Sequence, residues 1–317
     1  MPGPLQRSLR ALALGICAAT AVPAVAAQPG AGTDPASETT AGTFTLDWPE
    51  LRDDLAANAV LALGANGSWT PSYAGSSSGS LKPTLVWAFQ YGKIRLATGG
   101  GAAVLGFAQD PRGPGASAEL FSGERFRAGV ALRIDRGRNS STIDGLENLP
   151  DVDATVRGRA YASFALTQRW TVAGAISPDL LGRGGGTVAT LDATYRRPLA
   201  PASEWYVGGG VNLASAGYMN SYYGVSGETA AATGLPAYTA GAGATAARAA
   251  VGFTSALTSR WIIFGGAGVT RLLGDAAGSP LTERQTTVSA SLGIAYRWGA
   301  RYEGLRGVLV PAAEEPR

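Results

Sequence analysis

Residues Thr286 to Trp298 read TTVSASLGIAYRW. Val288, Ala290, Leu292, Ile294, Tyr296 and Trp298 fall on one side of a two-residue period; Ser289, Ser291, Gly293, Ala295 and Arg297 fall on the other. Only an extended strand turns that period into two faces. One face is apolar and ends in two aromatics, while the other is small or polar. A strand of a soluble sandwich shares the alternation. A strand with lipid outside and water inside is also expected to carry aromatics where it leaves the membrane, and this one does.

The pattern recurs upstream at regular spacing. Val60 to Tyr73, Thr84 to Tyr91, Ile94 to Phe107, Arg125 to Asp135, Val156 to Leu166, Trp170 to Ile176, Thr187 to Tyr195, Trp205 to Leu213, Val251 to Leu257 and Trp261 to Leu272 complete eleven candidate strands. A single-chain bacterial barrel needs an even number. The suspect region is Ile94 to Gly123, where two strands are merged or one is missed. The expectation is an all-β fold: a transmembrane, antiparallel, up-and-down β-barrel of 10–12 strands over residues 58–298.

The connections alternate short and long. Thr167-Gln168-Arg169, Thr258-Ser259-Arg260 and Pro198 to Glu204 are short, and each precedes a tryptophan. Gly137 to Ala154, Ser177 to Gly186, Ala216 to Gly243 and Leu273 to Gln285 are long. Short periplasmic turns and longer external loops are the habit of outer-membrane barrels. Trp170, Trp205 and Trp261, with Tyr296 and Trp298, then form an aromatic girdle at one interface.

Forty-five glycines and only 15% charged residues suit a barrel better than a soluble enzyme. Residues 1–27 read as a secretory signal, with Arg7 and Arg10 before an apolar run from Ala11 to Val22 and small residues at Ala24 to Ala27. Residues 28–57 read as a disordered or periplasmic leader, with room for a short helix over Trp48 to Ala57; residues 299–317 read as a tail. The only cysteine, Cys17, lies inside the signal, so disulfides and thiol chemistry are not expected after cleavage. Cleavage also removes two arginines and no acid, so the basic balance carries no implication of nucleic-acid binding.

There is no histidine, which removes Ser-His-Asp and Cys-His catalysis and histidine metal sites. No cofactor or metal is implied. Asp151 and Asp153 are the most tempting carboxylate pair for glycoside hydrolysis, but they read better as a turn before a strand. Gly182 to Gly186, GRGGG, lacks the lysine of a phosphate loop and reads as flexible.

Arg95, Arg125, Arg127, Arg133, Arg157, Arg159, Arg196 and Arg297 project to the inward face, with Asp135 and Asp192 as the clear acids. Two readings stand: an ion network that plugs a narrow barrel, or an electropositive lumen that admits anions. In the long loop, Tyr218, Tyr222, Tyr223 and Tyr238 either offer a surface for adhesion or fold over the mouth and close it.

Several segments carry a family likeness. They are Pro71 to Ser76 (PSYAGS), Gly145-Leu146 with Leu149 to Thr155 (LPDVDAT), Tyr222 to Val225 (YYGV), Gly234 to Gly243 (GLPAYTAGAG) and Arg271 to Leu281 (RLLGDAAGSPL). In this order they resemble the MipA/OmpV family, the MltA-interacting outer-membrane proteins, from about Leu63 to Trp298. Thr239 stands where an acid is expected, and the chain runs on past the terminal aromatic. Ser291-x-Gly293-x-x-Tyr296-x-Trp298 is also similar to the C-terminal signal read by the barrel-assembly machinery. The resemblance implies a non-enzymatic protein in outer-membrane lipid of a Gram-negative cell. Its role would be a scaffold for a murein hydrolase and a murein synthase, with porin and adhesin as the alternatives.

Overall fold

The structure is a computed structural model that describes residues 59–98, 115–138, 140, 149–200 and 202–299. The expected signal, leader and short helix lie outside these residues, as does the expected tail except Gly299, which ends the last strand.

Twelve strands run in chain order around a closed antiparallel barrel. They are β1 (Ala59–Pro71), β2 (Gly79–Tyr91), β3 (Ile94–Ala97), β4 (Gly115–Ser122), β5 (Phe126–Asp135) and β6 (Thr155–Ala165). The circuit continues with β7 (Trp170–Pro178), β8 (Thr187–Ala200), β9 (Ser203–Ala214), β10 (Gly243–Ala256), β11 (Trp261–Leu272) and β12 (Thr286–Gly299). Closure comes from β1 against β12, in register from Val60↔Gly299 to Trp69↔Ala290. Most strands meet or exceed the roughly nine to eleven residues that a tilted strand needs to cross a bilayer. Among the described residues no helix is long and apolar enough to cross.

Alternation decides which residues face lipid. Leu85, Leu132, Leu191, Val288 and Leu292 are all more than half exposed. Their inward neighbours Val86, Ala131, Thr190 and Gly293 are buried. An apolar belt of this extent would be an aggregation surface in water and is the required surface in hydrocarbon.

The strand count resolves to twelve because one strand was missed. β4 reads GASAELFS, whose small residues give little alternation, and a register shift between Glu119 and Phe121 breaks its phase. β3 ends at Ala97, and residues 99–107 of the expected strand lie outside the described residues. β10 begins at Gly243, not Val251, because its alanine-rich first half hides the period. β8 and β9 extend to Ala200 and Ser203, which shortens their connection to two residues.

The glycine content has a local cause in the wall. Gly129 lies opposite Tyr161, Gly252 opposite Tyr206 and Gly293 opposite Phe264. A methyl group on these glycines would sit about 2.5 Å from the Tyr161 hydroxyl, 2.3 Å from the Tyr206 hydroxyl and 2.5 Å from the Phe264 ring. Each ring thus lies over a glycine on the next strand, a device that fills the lumen and fixes register. Gly67 faces outward, and a methyl group there would meet nothing within 4 Å. Replacing Gly252 with Val is expected to cost about 1–3 kcal/mol of overpacking, whereas Gly67→Ala is near neutral. Heat-dependent gel mobility of the folded barrel reads both; equal unfolding temperatures for the two variants would contradict the ring-over-glycine account.

Candidate functional site

The inward strand positions place Arg95, Arg127, Arg133, Arg157, Arg159, Arg196 and Arg297 on the lumen wall, alternating with outward apolar residues. Arg125 differs: it precedes β5 on the exposed turn, at the rim. Sequence reading missed Arg248, because β10 starts earlier than expected, and also missed Glu119 and Glu204. The carboxylates are placed to pair. Arg157 Nε donates to Asp135 at 2.7 Å, Arg196 Nη1 to Glu204 at 3.1 Å, and Arg95 lies 3.5 Å from Glu119. Arg248 reaches across β9 to Asp192, and Gly210 lies opposite both. A side chain at Gly210 would collide with the Asp192 carboxylate, so glycine is what opens that path. A charge buried beside apolar walls is tolerated only when paired in this way.

At the long-loop end, chain from the connections packs against the inward wall. After β9 come α1 (Ala216–Tyr223) and α2 (Gly227–Thr233); α3 (Gly274–Gly278) follows β11. Met219 and Tyr223 of α1 are buried with Ala214, Ala246, Leu272 and Ala276. A second cluster joins Leu149, Val225 and Leu281, with Tyr73 and Leu235 packed against it. Ser226 caps α2 by accepting from the Thr229 N–H, and Gly234 ends it in the left-handed conformation.

Arg157 ties this cap to the barrel. Beyond Asp135 it donates to the carbonyls of Ser177, Gly185 and Gly186 at 3.4, 2.7 and 3.2 Å, and its guanidinium lies 5.4 Å from the Tyr218 ring centre. Tyr218 stacks on Tyr222 at 4.4 Å, and the Tyr222 hydroxyl donates to the Asp135 carboxylate at 3.2 Å. The GRGGG segment, expected as flexible, is instead folded around this point. Gly182, Gly184 and Gly186 have positive φ, and a methyl group on Gly186 would lie 2.3 Å from the Tyr218 nitrogen. Only glycine allows that approach.

Further ties hold the loops to one another. Arg138 donates to the Tyr222 carbonyl, Ser140 and the Pro150 carbonyl at 3.0, 3.2 and 3.4 Å, and burial pushes its guanidinium below its ordinary pKa. Glu283 accepts from Tyr73 at 3.0 Å and from the Ser77 N–H at 2.9 Å; the Ser77 hydroxyl holds its carboxyl below the usual value. Burial raises the Asp179 carboxyl, but hydrogen bonds from Thr155 and from the backbone of Gly185 and Leu181 outweigh it and bring it down. Burial raises the Tyr73, Tyr222 and Tyr223 phenols, so all three stay neutral.

Tyr218, Tyr222 and Tyr223 therefore face inward, whereas Tyr238, half-buried, donates to the Asp275 carbonyl at 2.9 Å in an exposed contact. Asp151 accepts from the Ser140 N–H at 2.7 Å, a turn contact. Asp151, Asp153, Arg183 and Tyr238 edge an outer cleft of about 510 Å³. Among the described residues no group of three His, Cys, Asp or Glu side chains could hold a metal ion.

Toward the opposite end one side of the lumen wall, on β1–β3, β11 and β12, carries an apolar patch, beside the Arg95–Glu119 and Arg196–Glu204 pairs. Ala62, Val86, Ala88, Ala97, Ile262, Phe264 and Ala295 are all buried, and Val86 and Ile262 are almost completely so. Outside that end, Trp170, Tyr195 and Trp205 form one aromatic row with ring separations of 5.3 and 5.9 Å. Trp261, Tyr296 and Trp298 form a second, at 5.1 and 4.6 Å.

Comparison with known proteins adds the following. No curated protein matches the chain. Solved outer-membrane barrels resemble it distantly. The KdgM porin is 9% identical over 75% of this chain and 98% of its own, with a TM-score of 0.33. The NanC porin is 6% identical over 76% and 99%, with a TM-score of 0.36. Salmonella typhi OmpF, in complex with daunomycin, is 9% identical over 77% and 98%, with a TM-score of 0.38. Such similarities carry no argument about what this chain does. The sequence pattern of the family described as MltA-interacting protein MipA matches residues 63–298, so the chain, a twelve-stranded barrel of the outer membrane, belongs to the MipA family.

Proposed function

We propose that this protein is a closed outer-membrane barrel that works as a non-enzymatic scaffold through its periplasmic face, not as an open pore. The observation that carries the reading is the cap: α1 lies in the barrel mouth and is held there by the Asp135–Arg157–Tyr222 group. The apolar patch toward the far end supports it too, since Val86 and Ile262 are buried there almost completely. The inward turn of Tyr218, Tyr222 and Tyr223 also leaves the adhesin alternative with only Tyr238 of its expected aromatic surface.

The family description names an interaction with MltA, which supports a murein hydrolase as one partner; a murein synthase completes the proposed scaffold. The β8–β9 hairpin supplies a contact surface. It carries Arg197 and Pro198 past the girdle tyrosine Tyr195, and Leu199 at its tip is 67% exposed. The leader and tail would add to that surface.

Three outcomes are expected. In planar bilayers at neutral pH the native protein shows no stepwise conductance. Deleting residues 216–242, or combining Asp135→Asn with Tyr222→Phe, produces steps with anion preference, because the lumen arginines outnumber the carboxylates; steady conductance from the native barrel would overturn the closed reading. The ties at Asp179 and Glu283 have depressed pKa values, so their contribution is present above the ordinary carboxylate value of about 4 and is lost as pH falls below it. Steps should therefore emerge in the native protein only in acid, and identical silence at every pH would count against these ties as latches. Finally, pull-down from solubilised membranes is expected to recover a murein hydrolase with the native chain and several-fold less with Leu199→Asp. Recovery of no cell-wall enzyme would remove the scaffold reading.

A further inference from the structure

Two tight turns at the periplasmic end, Thr167 to Trp170 and Thr258 to Trp261, are built to one plan. In each, the threonine hydroxyl accepts from the backbone N–H of the arginine, at 3.1 and 3.2 Å, and of the tryptophan, at 3.0 Å in both. The threonine N–H donates to the tryptophan carbonyl at 3.3 Å in both. The arginine carbonyl accepts from the neighbouring strand, from Arg196 N–H at 2.9 Å or Arg297 N–H at 2.8 Å. The residue before that donor is a tyrosine each time. Tyr195 lies against Trp170, and Tyr296 lies against Trp261. Arg169 Nη1 reaches the Tyr195 hydroxyl at 3.5 Å, and Arg260 Nη1 reaches the Tyr296 hydroxyl at 2.8 Å.

The turn itself uses only the threonine hydroxyl and backbone groups. It requires neither a guanidinium at its third position nor a phenol opposite, yet both units have them. The Tyr296 phenol takes one donor of the Arg260 fork, and the Tyr195 phenol lies at the limit of that contact to Arg169, leaving most of the five N–H groups of each fork directed elsewhere. Both arginines are exposed, just beyond the tryptophans that mark the end of the hydrocarbon. Arg197, exposed and outward-facing on β8, adds charge beside the first unit, while Glu204 on the adjoining strand is turned into the lumen and held by Arg196. What lies at that depth is the phosphate layer of the lipid. Because the short turns face the periplasm, that lipid is glycerophospholipid, and lipopolysaccharide sits at the opposite end.

We propose that the Thr167–Trp170 and Thr258–Trp261 turns, with Tyr195 and Tyr296, are a duplicated binding site for phospholipid: each guanidinium takes the phosphate of one inner-leaflet molecule, whose acyl chains lie along the tryptophan and the apolar wall. A pre-oriented fork at a bidentate acceptor is the strongest form such a contact takes.

The test uses the full mature chain in mild detergent micelles and native mass spectrometry. The probes are phosphatidylglycerol, diacylglycerol with the same acyl chains, and sodium phosphate. Phosphatidylglycerol is expected to be retained at one molecule per unit. Arg169→Ala and Arg260→Ala should each weaken retention at one site about fivefold, and the double variant at both. Arg169→Gln and Arg260→Gln should behave alike, with folding checked by heat-dependent gel mobility. Diacylglycerol should not be retained, and sodium phosphate should not displace the lipid. Unchanged retention in the double variant, or retention of diacylglycerol equal to that of phosphatidylglycerol, would overturn the proposal.

Discussion

A polypeptide in hydrocarbon has no water to satisfy its backbone, so every strand needs a hydrogen-bonded neighbour on both sides. The seam between β1 and β12 meets that demand, and the rest of the molecule follows from it. Once the sheet closes, each strand has a lipid side and a lumen side, and alternation sorts the residues. Leucines and valines go out. Arginines, small residues and the occasional ring go in, and charge confined there must find partners across neighbouring strands. The pairs Arg157–Asp135, Arg196–Glu204 and Arg248–Asp192 are consequences of closure as much as features of a site.

The same logic shapes the two ends. A wall of twelve strands encloses a space that side chains alone fill unevenly, and this chain fills the outer part with loop. α1 brings Met219 and Tyr223 into the mouth, where burial stabilises them, while Arg157 holds the β7–β8 connection by hydrogen bonds to its carbonyls and meets α1 at the Tyr218 ring. Arg157 thus acts as a clamp and not as a lining residue. Toward the other end an apolar patch around Val86 and Ile262 shares the lumen wall with the Arg95–Glu119 and Arg196–Glu204 pairs, and rows of tryptophan and tyrosine lie on the outside. Function in such a barrel is expected at its rims.

Much of this was legible in the sequence where alternation was strong. β5, β6 and β12 declare both faces through residues such as Val130 against Arg133 or Leu292 against Ser291. β4 and the first half of β10 did not, because alanine and glycine are acceptable on either face and carry no period. That cost the sequence reading Glu119 and Arg248, two of the residues that balance the lumen. Apart from Arg248, the inward arginines sit at alternating positions of well-patterned strands; Arg125 differs because a strand end of one residue decides between lumen and rim. The clamp was not readable. Asp135 and Arg157 sit on adjacent strands, but Tyr222 and the GRGGG carbonyls reach them only through tertiary folding of two long connections, and no local pattern encodes that meeting.

The claim beneath all of this is that the apolar faces touch acyl chains while their alternate neighbours do not. The mature sequence expected here has no cysteine, so single cysteines can be placed at Val130, Leu292, Ser291 and Ala131 and spin-labelled in liposomes. Collision with membrane-soluble oxygen should be high at positions 130 and 292 and low at 131 and 291. Equal accessibility at all four positions, or collision with an aqueous nickel complex at 130 and 292, would contradict the barrel described here.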